Sequence, residues 1–365
     1  MRILLYINTL SKYNYGNLKS NLELMEGFLE KGIEVFLIVN KRSPHDLSVP
    51  VEVISLDAKG DFDRPFKLAR IVKTLKPDAV IANMLTQMVT ASIAKLLRRG
   101  KGIKFIGIER DTRAWHRKFW KLPYRFFIKK VYENMDHIVA VSPAVERDLK
   151  KTFFIKEDKI KLIYDSVDSE DIRKKAKEPI EENLKDIFSN FKILTVLGRI
   201  DAQKEPFLAL EVFTRLKKET VGVKLCFIGS GELEAELRKK IADNGLEEDV
   251  LILGYKENPF KYLKASKILL HTASREGLGR VILEAGILGI PTVAFYGEES
   301  GYTEIIEKYN CGILVPFGNI SEMSRKIKKV LEDKTLYQRL SLSANRICED
   351  FTKAKVADEY IKLLQ

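Results

Sequence analysis

The chain of 365 residues is 45% hydrophobic and 31% charged, a composition that excludes a disordered chain and supplies cores for two domains of roughly 150 to 200 residues each. Its net charge of +12 is uneven: residues 1–180 hold 35 Lys and Arg against 23 Asp and Glu, while residues 181–365 hold 28 of each, so the first half favours an anionic partner. Met1 runs straight into a strand-like segment, no window reaches about 18 unbroken apolar residues, and Cys226, Cys311 and Cys348 are odd in number and widely spaced; the reading is a cytoplasmic protein with reduced thiols, neither secreted nor membrane-spanning.

In chain order, RILLYI, EVFLIV, AVIA, KFIGIE and HIVAVS are short Ile- and Val-rich runs. Helical patterns such as LKSNLELMEGFLEKG lie between them, and alternation of this kind predicts a parallel sheet with helices on both faces. A polar stretch follows at 173–190, RKKAKEPIEENLKDIFSN, and the alternation restarts with KILTVLG, KLCFIG, VLILG, ILLHT and PTVAF. The fold class expected is α/β, with two doubly wound Rossmann-like domains facing across a cleft. Boundaries fall at 1–178 and 179–349, and ligands are sought in the loops at the carboxyl ends of the strands.

Three of those loops in the second half suit a diphosphate. LGRIDAQKEP places Arg199 and Lys204 just past KILTVLG, so that two cations can converge on one anion. FIGSGELEAEL sets Gly229, Ser230 and Gly231 between a strand and a helix N-terminus, where free N–H groups favour negative charge. EGLGRVILEA repeats the arrangement with Gly277 and Gly279. Together the three loops point to a nucleotide diphosphate.

Glu276 and Glu284 flank the start of that last helix, about 12 Å apart at 1.5 Å per residue. A glycosidase carboxylate pair is separated by roughly 5 to 9.5 Å, so the two glutamates suit a ligand lying along the helix, Glu284 accepting from ribose hydroxyls and Glu276 from sugar hydroxyls. The plainer alternative makes Glu276 a helix-dipole partner and Glu284 a surface residue. Glu284 nevertheless sits inside VILEAGILG, apolar on nearly all sides, where a carboxylate needs partners.

With these residues in place the sequence resembles the retaining GT-B glycosyltransferases of the "group 1" type, which carry a Glu-x7-Glu motif. Gly198, Arg199 and Lys204 match GR-x4-K; FIGSGEL, LGY (Gly254, Tyr255), EGLGRVILEA, GIPTVA and GYTEII follow in the family's order. The resemblance covers nearly the whole chain. It implies that Arg199, Lys204 and Glu276 are catalytic, with Arg199 and Lys204 on the donor diphosphate. It places Gly198, Gly229, Ser230, Gly231, Gly254, Tyr255, Gly277, Leu278, Gly279, Arg280 and Glu284 at the donor. The leaving phosphate takes the acceptor's proton in that mechanism, so no strong protein base is required; no pairing of histidines has metal-ligand spacing on a helix, and no metal or other cofactor is expected. A UDP-sugar is favoured as donor, with GDP- and ADP-sugars open. The C-terminal stretch, about 350–365, would pack back on the first domain.

The sequence departs from the family pattern in its first half. YNYGNLKS offers Asn14, Tyr15 and Gly16 where the family has Gly-Gly, and IERDT puts Glu109 or Arg110 where many members have histidine. These residues, with His116, are the candidate acceptor contacts. Asp61-Phe62-Asp63 mimics a metal-binding Asp-x-Asp, but Asp63 before Arg64-Pro65 reads better as a helix N-cap. His137 and His271 border strands and read as structural.

RAWHRKFWKLPYRFFIKKVY, residues 113–132, contains seven Arg or Lys, seven aromatic residues and no acid. That interleaving suits an anionic bilayer surface and a lipid-linked acceptor; a core helix with inward aromatics is the alternative, and nothing resembles a nucleic-acid module. The function expected is sugar transfer from a nucleotide sugar to a glycan or lipid-linked acceptor in cell-surface polysaccharide or glycolipid synthesis. A phosphorylase or soluble disaccharide synthase of the same fold, and a non-catalytic nucleotide-sugar-binding subunit, are the rivals.

Overall fold

The computed structural model describes the chain apart from residues 12–14, 44–45, 98–101, 114–121, 298 and 345. It divides into two compact units, Met1–Val167 with Phe351–Gln365, and Asp168–Asp350. In the first, β1 (Arg2–Tyr6), β2 (Glu34–Val39), β3 (Val53–Ser55), β4 (Ala79–Asn83), β5 (Lys104–Glu109), β6 (His137–Ala140) and β7 (Ile160–Leu162) form one parallel sheet in the order β3-β2-β1-β4-β5-β6-β7. Its helices are α1 (Tyr15–Glu30), α2 (Arg64–Leu75), α3 (Met84–Leu97), α4 (Leu122–Asn134) and α5 (Pro143–Phe153), joined by the C-terminal α16 (Lys353–Leu364). α16 packs on α1, where the Phe28 and Tyr360 rings meet edge to face at 6.0 Å.

The second unit begins with α6 (Ser169–Lys175) and α7 (Glu182–Asn190), ahead of the 178/179 boundary read from the sequence. The reason is packing. α6 lies against α10 (Phe260–Ala265) and α11 (Arg280–Ile287), and Asn258 donates to the Lys175 carbonyl at 2.9 Å. The polar stretch 173–190 is therefore part of this unit, not a linker. Its amphipathic α7 buries Phe188 against Tyr262.

The second sheet is also parallel, in the order β10-β9-β8-β11-β12-β13, from β8 (Lys192–Leu197), β9 (Val223–Ile228), β10 (Val250–Ile252), β11 (Ile268–His271), β12 (Thr292–Tyr296) and β13 (Gly312–Pro316). The remaining helices are α8 (Pro206–Lys217), α9 (Glu234–Asp243), α12 (Thr303–Tyr309), α13 (Ile320–Glu332), α14 (Lys334–Ala344) and α15 (Ile347–Asp350). Leu194, Leu225, Leu270 and Val293 from the central strands meet Phe213 of α8 and Ile327 of α13 in one core. Strands covered on both faces read as unbroken apolar runs, which is why the sequence revealed them.

In each sheet the strand order reverses once, between β1 and β4 and between β8 and β11. At such a point neighbouring strands send their following loops to opposite faces, and a crevice opens outside their carboxyl ends. In the second unit the loops that flank this point are 198–205, after β8, and 272–279, after β11.

The three cysteines are free thiols. Asp63 stands at the N-cap position of α2 but caps nothing with its side chain, because its backbone is already helical (φ −82°, ψ −27°); its carboxylate instead accepts from the Lys59 amide at 3.3 Å.

Candidate functional site

The loops after β8 and β11 are tied together before any ligand arrives. Ser274 donates through its amide (3.0 Å) and hydroxyl (3.2 Å) to the Gln203 carbonyl, and Gln203 returns a bond from Nε2 to the Arg275 carbonyl at 3.2 Å. Thr272 Oγ1 donates to the Lys204 carbonyl at 2.9 Å. Glu205 takes a left-handed backbone conformation, φ 50°, to turn the chain into α8, a geometry that costs a non-glycine residue roughly 1 to 2 kcal/mol. What this turn secures is the direction of Lys204.

Lys204 reaches across to the Glu276 carboxylate, and its ammonium forms an ion pair there, with side chains 15% and 19% exposed. Burial pushes the Glu276 carboxyl upward, but Lys204, His271 and Arg199 together outweigh it and hold the group below the usual carboxylate range. The backbone of Glu276 is fixed as well: its amide donates to the Glu299 carbonyl at 3.3 Å and its carbonyl accepts from Gly301 at 2.8 Å. Arg199, from the same loop as Lys204, points outward. Its side chain is 62% exposed, with Nη2 3.0 Å from Asp201 Oδ2.

Behind the pair sit two residues that sequence reasoning treated as structural or passed over. His271 ends β11, 4% exposed, with Nε2 4.0 Å from Glu276 Oε2. Its ring meets Tyr302 edge to face at 4.6 Å, and the Tyr302 hydroxyl donates to the Phe295 carbonyl at 2.5 Å. Tyr302 also explains Gly279, whose φ of 77° begins α11: a Cβ there would stand 2.9 Å from the Tyr302 Cβ. Gly277 and Leu278, in the same turn, are buried.

Glu284 lies one turn into α11 and is 7% exposed, so the surface alternative for it fails. Arg280 Nε donates to its Oε1 at 3.0 Å from one turn earlier, leaving the carboxylate paired among Leu283, Ala285 and Ile287.

The GSG loop is set against the Arg199 loop backbone to backbone. Gly198 donates to Ile228 at 3.0 Å, Ile200 donates to Ser230 at 3.1 Å, and Gly229 donates to Gly254 at 2.8 Å. A side chain at Gly229 would collide with the Gly198 carbonyl, and one at Gly231 with that of Ile200. Ser230 is used internally, its Oγ accepting from the Tyr255 amide at 3.0 Å, while the Tyr255 ring is left half exposed.

In the first unit the candidate acceptor residues divide. Glu109 is 1% exposed and wholly occupied: it accepts from Arg113 Nε (3.0 Å) and Nη2 (3.1 Å), from Tyr132 Oη (2.6 Å) and from the Arg110 amide (3.2 Å). Its carboxylate is a structural hub and presents nothing to an acceptor. Burial would lower the Arg113 pKa, but Glu109 raises it; burial and Glu109 both raise that of Tyr132. Arg110 is likewise committed, donating from Nε to Asp165 at 3.0 Å and from Nη1 to Asn21 and Asn83. A Cβ at Gly16, in the first turn of α1, would meet open space. Asn14 and His116 lie outside the described residues, as does the side chain of Tyr15.

Of the basic aromatic stretch, Arg113 and Tyr132 turn inward, residues 114–121 lie outside the described residues, and α4 decides the rest. Ile128, Val131 and Tyr132 face the core, whereas Tyr124, Phe126 and Phe127 are exposed, Phe126 by 62%. Lys130 stands over the Phe126 ring at 5.3 Å and Lys129 over exposed Phe154 at 6.0 Å. The inward-aromatic alternative fails for these three rings. No helix among the described residues is long and apolar enough to cross a membrane.

Two parallel doubly wound units of this topology, with cations and glutamates gathered at the strand-end loops of the second, define the GT-B architecture. The model of the family "Glycosyl transferases group 1" matches residues 155–346, more than half of the chain, and that of "Glycosyltransferase Family 4" matches 19–171; the chain belongs to the group 1 glycosyl transferases. It is 32% identical over 246 residues, 67% of its length, to the N-acetylgalactosamine-N,N'-diacetylbacillosaminyl-diphospho-undecaprenol 4-alpha-N-acetylgalactosaminyltransferase of Campylobacter jejuni. To an uncharacterised glycosyltransferase of Methanocaldococcus jannaschii it is 24% identical over 74% of its length. These matches span 64% and 66% of the two relatives. Among solved structures, HepE of Anabaena in complex with UDP superposes with a TM-score of 0.82 at 18% identity, covering 100% of this chain and 99% of that one.

Proposed function

We propose that this protein is a retaining glycosyltransferase that moves a sugar from a nucleotide diphosphate sugar, a UDP-sugar in the first instance, to a glycan or lipid-linked acceptor in cell-surface glycan synthesis. The observation that carries the reading is the Lys204–Glu276 ion pair at the reversal point of the second sheet, with Glu284 buried and paired one helix turn beyond. The UDP bound by the Anabaena neighbour supports the choice of nucleotide.

In this reading the donor diphosphate takes the Lys204 ammonium and the outward Arg199 guanidinium, while Glu276 and Glu284 accept from sugar and ribose hydroxyls. Negative charge accumulates on the leaving diphosphate as the glycosidic bond breaks, and the two cations of the loop after β8, once drawn onto the bound diphosphate, stabilise it. Arg199, Lys204 and the loop amides carry that charge in place of a metal ion. Thermal shift against UDP, GDP, ADP and their sugars, comparing wild type with Glu284→Ala, checks the donor. A nucleotide-specific rise that Glu284→Ala removes is expected; no rise with any nucleotide sinks the donor reading.

For the acceptor, the outward face of α4 supports a membrane-borne substrate. The named acceptor of the Campylobacter relative is a diphospho-undecaprenol-linked sugar, and exposed rings with lysines above them suit the headgroup level of an anionic bilayer. In flotation with vesicles containing phosphatidylglycerol, wild type is expected to rise with the lipid and the Tyr124→Ser, Phe126→Ser, Phe127→Ser triple variant to rise several-fold less. Equal flotation of the two, or no preference for anionic over zwitterionic vesicles, counts against this surface.

A further inference from the structure

His271 has a feature that packing does not require. Its Nε2 is buried without a hydrogen-bond partner among the described residues, and it is aimed at the Glu276 carboxylate 4.0 Å away. The charged groups facing the ring are Lys204, from the loop after β8, and Glu276, from the loop after β11; Tyr302, at the start of α12, offers an uncharged ring edge, and Ala294, its register partner on β12, no charge at all. Burial first, and Lys204 next, push the imidazole down to about 4, against the pull of Glu276. At rest the ring is neutral, and the single positive charge of Lys204 balances Glu276.

We infer that His271 is a positioning residue for Glu276: when the donor diphosphate draws Lys204 away, the imidazole takes a proton from solvent and its Nε2–H replaces Lys204 as the donor to the carboxylate. The inference rests on the reading that Lys204 receives the diphosphate. Its physical basis is charge balance. A diphosphate neutralises the cation that had suppressed the imidazole, and Glu276, partly buried and stripped of its partner, then favours a protonated neighbour. The carboxylate remains ionised and fixed in direction, ready to accept from the donor sugar.

The test is calorimetric titration of UDP-glucose and UDP-N-acetylgalactosamine near pH 6.5, in two buffers of different ionisation enthalpy. The diphosphate of a UDP-sugar is esterified at both ends and does not titrate there, so a buffer-dependent enthalpy reports the protein. Wild type is expected to take up protons on binding, approaching a single proton per site. His271→Asn and His271→Phe are expected to bind without uptake, and kcat to fall about ten- to a hundredfold, more than the donor KM changes. His271→Phe keeps a ring against Tyr302, and its wild-type-like melting would separate loss of the proton from loss of the fold. Binding by wild type with no buffer dependence overturns the inference and leaves the donor reading standing. So does uptake that persists in both variants, since the proton then goes to Glu276. Absence of binding by any UDP-sugar overturns the donor reading and the inference with it.

Discussion

Lys204→Ala is expected to lower kcat/KM for nucleotide release by about a hundred- to a thousandfold, the scale of removing a single preorganised charge-stabilising group from an enzyme site. Two effects act in the same direction. The ammonium that would meet the leaving diphosphate is gone, and the Glu276 carboxylate loses the ion-pair partner that stands closer to it than His271. In the wild type Lys204, with His271 and Arg199 behind it, overcomes the upward push of burial on the Glu276 carboxyl; in the variant only His271 and Arg199 remain to oppose burial, and the group protonates more readily. A carboxyl depressed in the folded state contributes stability above its unfolded pKa, and that contribution is lost as pH falls through the folded value. Lys204→Ala should therefore flatten the acid limb of the stability profile as well as slow the reaction. Lys204→Arg should recover little activity, because a planar fork cannot reproduce a point charge at the end of a flexible stem. Retention of more than about a third of wild-type kcat/KM by Lys204→Ala, far short of that expected loss, would sink the assignment.

The largest effect on stability is expected in the other unit. Arg113→Leu should destabilise it by about 3 to 5 kcal/mol, since it strands the Glu109 carboxylate, 1% exposed, without its counter-charge. Glu109 would keep the Tyr132 hydroxyl and the Arg110 amide, which bond a charge but do not neutralise it. Changing both members, Arg113→Leu with Glu109→Leu, is expected to recover much of the loss, because no uncompensated charge then remains in the interior. Hydrogen exchange of the β5 and α4 amides, taken across a urea series, follows the unfolding of this unit. With a slope near 2 kcal/mol per M, the midpoint should fall by about 1.5 to 2.5 M. A shift below about 0.5 M would mean that water already reaches Glu109, and the hub would lose its structural meaning.

These two sites show what a sequence does and does not reveal. Central strands such as Leu225–Ile228 and Ala79–Ala82 were legible because burial on both faces writes itself as an apolar run. The short edge strands Val53–Ser55 and Ile160–Leu162 were not, since they are too brief and too partly exposed to leave a pattern. The residues of the second-unit loops were legible through their glycines and cations, but their pairing was not. Lys204 and Glu276 are brought together by the placing of β11 beside β8, and no local spacing encodes that neighbourhood. His271 was visible as a histidine ending a strand, yet its charge environment comes from a lysine in another loop. Glu109 shows the opposite case. Its place at the end of β5 suggests a role toward the acceptor, whereas Arg113, in the irregular chain that follows β5, and Tyr132, on α4, turn it inward.

The route of the chain between the units bears on how the protein is made. It leaves the first unit after Val167 and returns at Phe351, whose carbonyl accepts from the Val167 amide at 2.8 Å, so the exit and the re-entry are side by side. The second unit is thus an insertion within the first. On a ribosome its residues emerge together and can close their own core, while the earlier half waits for α16, with the face around Phe28 that Tyr360 will cover still bare. The order of completion reverses the order of synthesis, and the longest-lived nascent state exposes the α16 site on α1. Chaperone capture of stalled chains should accordingly fall away only once residues 353–364 have cleared the exit tunnel.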